Sequence, residues 1–301
     1  MKQRRITSMI VIFAVVCTMV FNSISKEVVV ASEPKLNQTN VTMAVWTTYA
    51  LKVRDLPKRA QVTWTSSNKK LAVVSNKGVV TAKKSGTVTI KSNIKQSGKK
   101  TIKLSCKVRI NKNMNMGKTL VVYFSVPDMD SSSSDSVDAV SSASIVESGS
   151  KKLGNIQYVA SVIQENTGAD MFRIQPEEAY PIKHSTLVGQ AEKEQEQDAR
   201  PAIKNKLKKL NQYDTIFIGY PIWWSDMPQI MYTFFDTYDF SGKTIIPFTV
   251  HGGSGLSGTV SRIQKLEQDA SVYKNALSID RDNVDKSESK ITAWLSELNG
   301  K

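Results

Sequence analysis

Thr119-Leu-Val-Val-Tyr-Phe124 is a six-residue run with no charge and no alternation of polar with apolar positions. Such a run suits a strand covered on both faces, which is the situation in parallel sheets whose crossovers lay helices over both sides. The chain downstream repeats the theme. An apolar stripe at Ile156, Val159, Ala160, Val162 and Ile163 predicts a helix over residues 155–167, with Gly168 as its stop. The alternation continues with a strand at 170–174, a polar helix around 187–210, a strand at 214–220 and a helix at 227–238. It ends with a strand at 244–250, a helix at 257–268, a strand at 272–279 and a helix at 286–298. Five strands, each followed by a helix, predict a doubly wound five-stranded parallel α/β sheet over residues 119–301. Ligands of such sheets lie beyond the carboxyl ends of the strands, at the switch point.

Upstream the period changes. Short alternating segments at 41–45, 49–53, 61–65, 71–74, 78–82, 87–91 and 103–110 recur about every ten residues and predict an antiparallel β-sandwich over residues 33–112. Residues 113–118 have no hydrophobic periodicity and read as a linker. The charge divides the same way. The chain of 301 residues carries a net +14, but residues 33–117 hold 18 basic against two acidic side chains, whereas residues 118–301 hold 19 against 24. The basicity therefore belongs to the β module. Anionic wall polymers are a candidate partner for it through a salt-sensitive field, and a solvated Lys-rich face is the plain alternative.

Lys2, Arg4 and Arg5 precede an uncharged, largely apolar run from Ile6 to Ile24, and Val29-Val30-Ala31 puts small residues at a cleavage position. Residues 1–31 read as a signal peptide cut after Ala31, with a retained anchor as the alternative because about 19 residues is near spanning length; either way the protein is expected outside the cell or at the envelope, with no integral membrane role after cleavage. Export and the lack of a basic-aromatic recognition element argue against nucleic acid. Only Cys17 and Cys106 are present, so no disulfide scaffold exists, and Cys106 reads as packing on a strand. No His/Cys/Asp grouping has metal spacing and no nucleophile-base pair is visible, so no catalytic residue and no metal site is assigned.

Two resemblances follow. Trp64-Thr-Ser-Ser-Asn68, Ala72-Val-Val74, Gly78-Val-Val-Thr-Ala82 and Gly86-Thr-Val-Thr-Ile90 resemble the bacterial Ig-like domain of group 2, with Trp64 expected in the inter-sheet core. From Lys118 onward, the first strand, Tyr213-Asp-Thr-Ile-Phe-Ile-Gly219, Gly219-Tyr-Pro-Ile-Trp-Trp-Ser-Asp-Met-Pro228, Phe240-Ser-Gly-Lys-Thr-Ile-Ile-Pro247 and Thr249-Val-His-Gly-Gly-Ser-Gly-Leu-Ser-Gly258 resemble a flavodoxin-like domain, specifically the bacterial subfamily with the Tyr-Pro-Ile-Trp-Trp loop. That resemblance implies FMN as cofactor. It places the phosphate at Ser125, Gly154, Asn155 and Ile156, and the flavin ring between Pro221, Ile222, Trp223 and Trp224 on one side and His251, Gly252, Gly253, Ser254 and Gly255 on the other. It also implies electron transfer or a flavin-dependent oxidoreductase, with a redox donor and an acceptor such as a quinone. The different-class alternative is a non-catalytic envelope-binding protein whose flavodoxin-like domain has lost its flavin.

The phosphate loop departs from the family pattern. Ser125 is separated from Gly154-Asn-Ile156 by an insert, residues 126–153, and Ile156 stands where a hydroxyl is expected. One missing hydrogen bond to a charged acceptor is worth about 1.5 to 3 kcal/mol, which weakens binding roughly tenfold or more. The insert, with Ser131 to Ser134 and five acids, reads as a flap with local structure near 143–147. Adjacent Trp223 and Trp224 in a Pro-bounded loop cannot both turn inward, so at least one is expected to face the flavin. His251 is expected at the site and His184 in solvent. Gly253-Ser-Gly-Leu-Ser-Gly258 also satisfies G-x-G-x-x-G, with Asp280 beyond it. A dinucleotide fold, however, carries that motif on its first strand, not on the fourth.

Overall fold

The structure is a computed structural model and describes residues 32–112, 114–126, 144–148 and 151–298. The signal-peptide expectation, at residues 1–31, and most of the insert, at 127–143 and 149–150, lie outside the described residues.

The Ig-like module contains β1 (Lys35–Leu36), β2 (Asn40–Ala44), β3 (Thr47–Ala50), β4 (Val53–Arg54), β5 (Gln61–Ser66), β6 (Ala72–Val74), β7 (Val79–Ala82), β8 (Gly86–Lys95) and β9 (Ile102–Asn111). A four-stranded sheet β2-β9-β8-β5 faces the strands β3-β7-β6 across a core that includes Met43, Tyr49, Ile90, Cys106, Val108 and Ile110. Every second residue is buried from Val88 to Ile94 of β8 and from Cys106 to Ile110 of β9, so the sequence alternation becomes one dry and one wet face. The all-antiparallel expectation fails at one pairing, because β2 runs parallel to β9. Trp64 is half-buried at the margin of the core rather than at its centre. Gly78, at φ +83°, gives its ring room, since a Cβ there would sit 3.0 Å from the indole. Cys106 is fully buried, and desolvation pushes its thiol up to about 11.

The second module contains β10 (Thr119–Tyr123), β11 (Ile145–Ser148), β12 (Lys151–Gly154), α1 (Asn155–Thr167), β13 (Asp170–Arg173), α2 (His184–Glu196), β14 (Thr215–Pro221), α3 (Gln229–Thr237), β15 (Thr244–His251), α4 (Thr259–Leu266), β16 (Ser271–Tyr273), β17 (Leu277–Asp280) and α5 (Glu288–Leu298). Its parallel sheet runs β13-β10-β14-β15, and both β16 and β17 pair with β15. The opening run is the interior strand β10, flanked by β13 and β14 and buried at all five positions. Val121 and Tyr123 pack toward α1 and α5 with Val159, Ile163 and Trp294, while Leu120, Val122 and Phe124 pack toward α3 with Ile230 and Phe234. Gly219 in β14 is required by close approach, because a Cβ there would lie 2.1 Å from the Phe248 ring on β15. Gly168 closes α1 in the left-handed conformation, at φ +68°.

Three elements differ from expectation. The helix read at 187–210 is α2, spanning 184–196 only, and a connection with a 3-10 turn at Leu210–Gln212 follows it. The fifth strand is broken into β16 and β17 by residues 274–276. The linker is not free of the core either: Met114 is buried, and its N–H donates to the Leu298 carbonyl at 3.1 Å. The modules also share a sheet. β3 pairs antiparallel with β16, matching Thr48 to Val272 and Thr47 to Tyr273, and the Thr48 hydroxyl donates to the Val272 carbonyl at 3.1 Å. The edge of the parallel sheet is thereby covered by the Ig-like module rather than left as an open template.

Candidate functional site

The carboxyl ends of β10, β14 and β15 meet the N-terminus of α1 around a cavity of about 260 Å³. The insert makes this possible. After the residues outside the description, the chain returns as the hairpin β11–β12, in register from Ile145↔Gly154 to Ser148↔Lys151. The hairpin delivers Gly154 as N-cap of α1, and the Asn155 N–H donates to the Ser144 carbonyl at 2.8 Å. Ser125, at the end of β10, and Asn155 and Ile156, at the start of α1, thus line one cavity despite their separation in sequence.

Ser125 is 4% exposed, and its hydroxyl has no hydrogen-bond partner among the described residues. A buried hydroxyl left unpaired costs on the order of 1 to 3 kcal/mol, so its retention beside a cavity calls for a ligand acceptor. The first-turn N–H groups of a helix lack intrahelical acceptors, and the helix dipole puts partial positive charge there. Together these donors suit an anionic, phosphate-like group. Ile156 is 2% exposed and packs in the apolar cluster under α1, so its side chain adds no hydroxyl to the cavity. Gly154 is buried as the N-cap, its N–H donating to the Gln157 Oε1 at 3.3 Å, and does not line the cavity.

Pro221, Ile222, Trp223 and Trp224 form the wall supplied by β14. The two tryptophans diverge. Trp223 meets Phe124 and Tyr180 edge-on, with centroids at 5.6 and 5.4 Å, whereas Trp224 is 47% exposed and its indole N–H donates to the Val188 carbonyl at 3.0 Å. Trp224 and Ser225 both have positive φ, +47° and +61°, in a two-residue turn closed by reciprocal Trp223–Asp226 backbone bonds of 2.9 Å. Neither residue type favours that conformation, so the turn is held from outside. Asp226 does the holding. It is 4% exposed, accepts from the Tyr232 hydroxyl at 2.9 Å and its own neighbour Met227 N–H at 2.8 Å, and lies 3.1 Å from the Arg262 Nε. Burial and the Asp226 carboxylate push the Tyr232 phenol up to about 12.

From β15, His251 and Gly252 reach the cavity, while Gly253, Ser254 and Gly255 lie beyond its lining. A glycine turn can aim its N–H groups at a ligand. One of them instead turns back, Gly253 N–H donating to His251 Nδ1 at 2.9 Å. Because Nδ1 accepts, the neutral imidazole carries its proton on Nε2. Asp280 Oδ2 lies 3.9 Å from the same Nδ1, and its Oδ1 accepts from the Asp282 N–H at 3.0 Å.

Nine of the thirteen expected residues therefore share one cavity, and the structure adds others. His184, read from sequence as solvated, lines the cavity with Leu187, Val188 and Ala191 on one face of α2. Their i, i+3, i+4, i+7 spacing was the available signal, lost because the helix was started three residues late. Arg281, just after β17, brings a guanidinium to the wall near Gly252. Ser144 enters from the insert.

Among solved structures, a proposed flavoprotein from Bacteroides eggerthii is 27% identical, with 61% of this chain and 99% of that chain covered and a TM-score of 0.46. A second, from Bacteroides uniformis, is 26% identical, with 60% and 99% covered and a TM-score of 0.45. A Lactobacillus acidophilus flavoprotein in complex with FMN is 17% identical, with 56% and 97% covered and a TM-score of 0.40. No curated protein matches the chain. The family model of the bacterial Ig-like domain (group 2) matches residues 32–104. The model described as Flavodoxin matches residues 145–298, just over half of the sequence, and with the β13-β10-β14-β15 parallel sheet around the cavity it establishes that the chain belongs to the flavodoxin family.

Proposed function

We propose that the cavity binds FMN and that the protein is an exported flavoprotein acting in electron transfer or as a flavin-dependent oxidoreductase, with a quinone or similar acceptor. The observation that carries this reading is the buried, unpartnered Ser125 hydroxyl on the same cavity as the α1 N-terminus. Ser125 Oγ and the first-turn N–H groups of α1 beyond Asn155, whose own N–H is taken by the Ser144 carbonyl, hold the phosphate. Trp223, fixed edge-on by Phe124 and Tyr180, supplies an apolar wall, and the turn locked by Asp226 closes that side to water. His251 Nε2 is the donor at the opposite wall, its tautomer set by Gly253, and Arg281 adds positive charge. FMN, when bound, supplies one- and two-electron chemistry that these side chains do not have. Export is supported by the pattern of residues 1–31 and by the Ig-like domain.

The flavin-free scaffold reading rests on Ile156, an apolar side chain in the phosphate loop. An absorption spectrum of the protein purified under non-denaturing conditions, before and after incubation with FMN and gel filtration, separates the two. Co-eluting flavin bands support the proposal, and a spectrum of aromatic residues alone after reconstitution removes it.

A further inference from the structure

The wet face of the four-stranded Ig-like sheet has a composition that solvation alone does not require. Strand register places Lys103, Lys107 and Arg109 of β9 beside Asn93, Thr89 and Thr87 of β8, with Lys91 opposite Ser105 and Lys95 opposite Gln61. All five cations are exposed, and β2 and β5 extend the same face with Asn40, Thr42, Thr63 and Thr65. No carboxylate occurs on any of these four strands. Elsewhere in the module lysines do find acids, Lys35 with Asp55 at 3.8 Å and Lys52 with Asp269 at 3.4 Å, whereas among the described residues the five cations of this face form no ion pair. Like charges set on neighbouring strands repel one another. The result is a flat strip about 20 Å long from residue 103 to 109, at about 3.3 Å per residue, in which cations alternate with neutral hydroxyl and amide donors.

We infer that this face binds a linear phosphodiester polyanion, the chemistry of poly(glycerol phosphate). Repeated anionic charge suits cations spread along two strands, and the interleaved Thr, Ser and Asn donors suit a ligand rich in acceptor oxygens. A nucleic acid is disfavoured because no aromatic side chain stands on this face to stack a base. A lipid surface is disfavoured because no apolar side chain stands there to enter it.

Affinity of the purified protein for poly(glycerol phosphate) is measured over a salt series, alongside phosphatidylglycerol vesicles and single-stranded DNA. Binding to the polymer is expected, stronger than to either comparator, with a slope of log affinity against log salt of about −3 for four to five neutralised phosphates. The variant K91Q/K103Q/K107Q/R109Q is expected to lose at least tenfold in affinity at low salt and most of that slope. The equal-charge control K69Q/K70Q/K83Q/K84Q, in turns off this face, is expected to stay within about threefold of the parent. Should the quadruple variant misfold by circular dichroism, the pair K107Q/R109Q is expected to show about half the slope change. No binding to the polymer, equal losses in face and control variants, or vesicle or DNA binding as tight as the polymer would each overturn the inference.

Discussion

Replacing Ser125 with Ala should act with opposite signs on the empty and the liganded protein. In the structure the Ser125 hydroxyl is buried, 4% exposed and without a partner among the described residues, so the fold bears its desolvation with no compensating bond. Removing one such oxygen should stabilise the flavin-free protein by about 1 kcal/mol, the low end of the cost of an unsatisfied buried group. At about 2 to 4 °C per kcal/mol for a chain of this size, the melting temperature should rise by roughly that much. With FMN bound, the same hydroxyl would donate to a phosphate oxygen, and losing a charge-assisted bond of about 1.5 to 3 kcal/mol should weaken binding about 10- to 150-fold. Riboflavin has no phosphate and should be unaffected. Thermal melts of the empty protein and fluorescence-quenching titrations of both flavins read these quantities. A lower melting temperature together with unchanged FMN affinity would mean that the hydroxyl is already satisfied and that the phosphate does not sit beside it.

The tryptophans should separate. Trp223→Ala removes two edge-on aromatic contacts and a half-buried ring, costing about 3 kcal/mol of stability, whereas Trp224→Ala should change stability by less than about 1 kcal/mol and express itself in flavin affinity or reduction rate; equal melting losses with normal flavin binding in both would return the pair to the core. Asp226→Ala strips the acceptor from Tyr232 and Arg262 and should lower stability by about 2 kcal/mol, below the value for a fully buried pair because the Arg262 side chain is 48% exposed, and an unchanged melt would show that the positive-φ turn holds itself. Glu267 is held up to about 7 by burial first and then by Asp239, Asp236 and Asp269. A carboxyl raised in the fold favours its protonated form there, so stability should fall as pH rises from about 4.5 to 7 and level off above, and Glu267→Gln should gain about 1 kcal/mol over the parent at pH 8 and nothing at pH 4.5 after allowing for solvent screening; a pH-independent difference would contradict this.

The sheet could be read because β10 has no charge and no alternation of polar positions for water to select a face, and only a two-sided cover suits such a strand. The Ig-like strands were readable for the converse reason, an alternation that burial follows from Val88 to Ile94 in β8 and from Cys106 to Ile110 in β9. Sharing of the sheet between β3 and β16 was not readable. It is made by backbone groups and one threonine hydroxyl, and Thr47, Thr48, Val272 and Tyr273 carry no pattern that distinguishes an inter-module edge from any other strand. At the site, aromatic and glycine-rich loops identified β14 and β15, but not which N–H groups were already engaged, as Gly253 is by His251. Arg281 could not be placed from sequence because it comes to the cavity only through tertiary packing. Asp226 has no sequence signal that separates it from any other loop acid, yet its burial beside Tyr232 and Arg262 sets the shape of the tryptophan turn.

The central claim is that the cavity at the α1 N-terminus holds FMN through its phosphate. Parallel equilibrium titrations of the purified protein with FMN and riboflavin test it most directly. The account predicts saturable quenching by FMN with an affinity at least tenfold above that for riboflavin, and a gap that closes in the Ser125→Ala variant. Equal affinities for the two flavins, or no quenching by either, would contradict it.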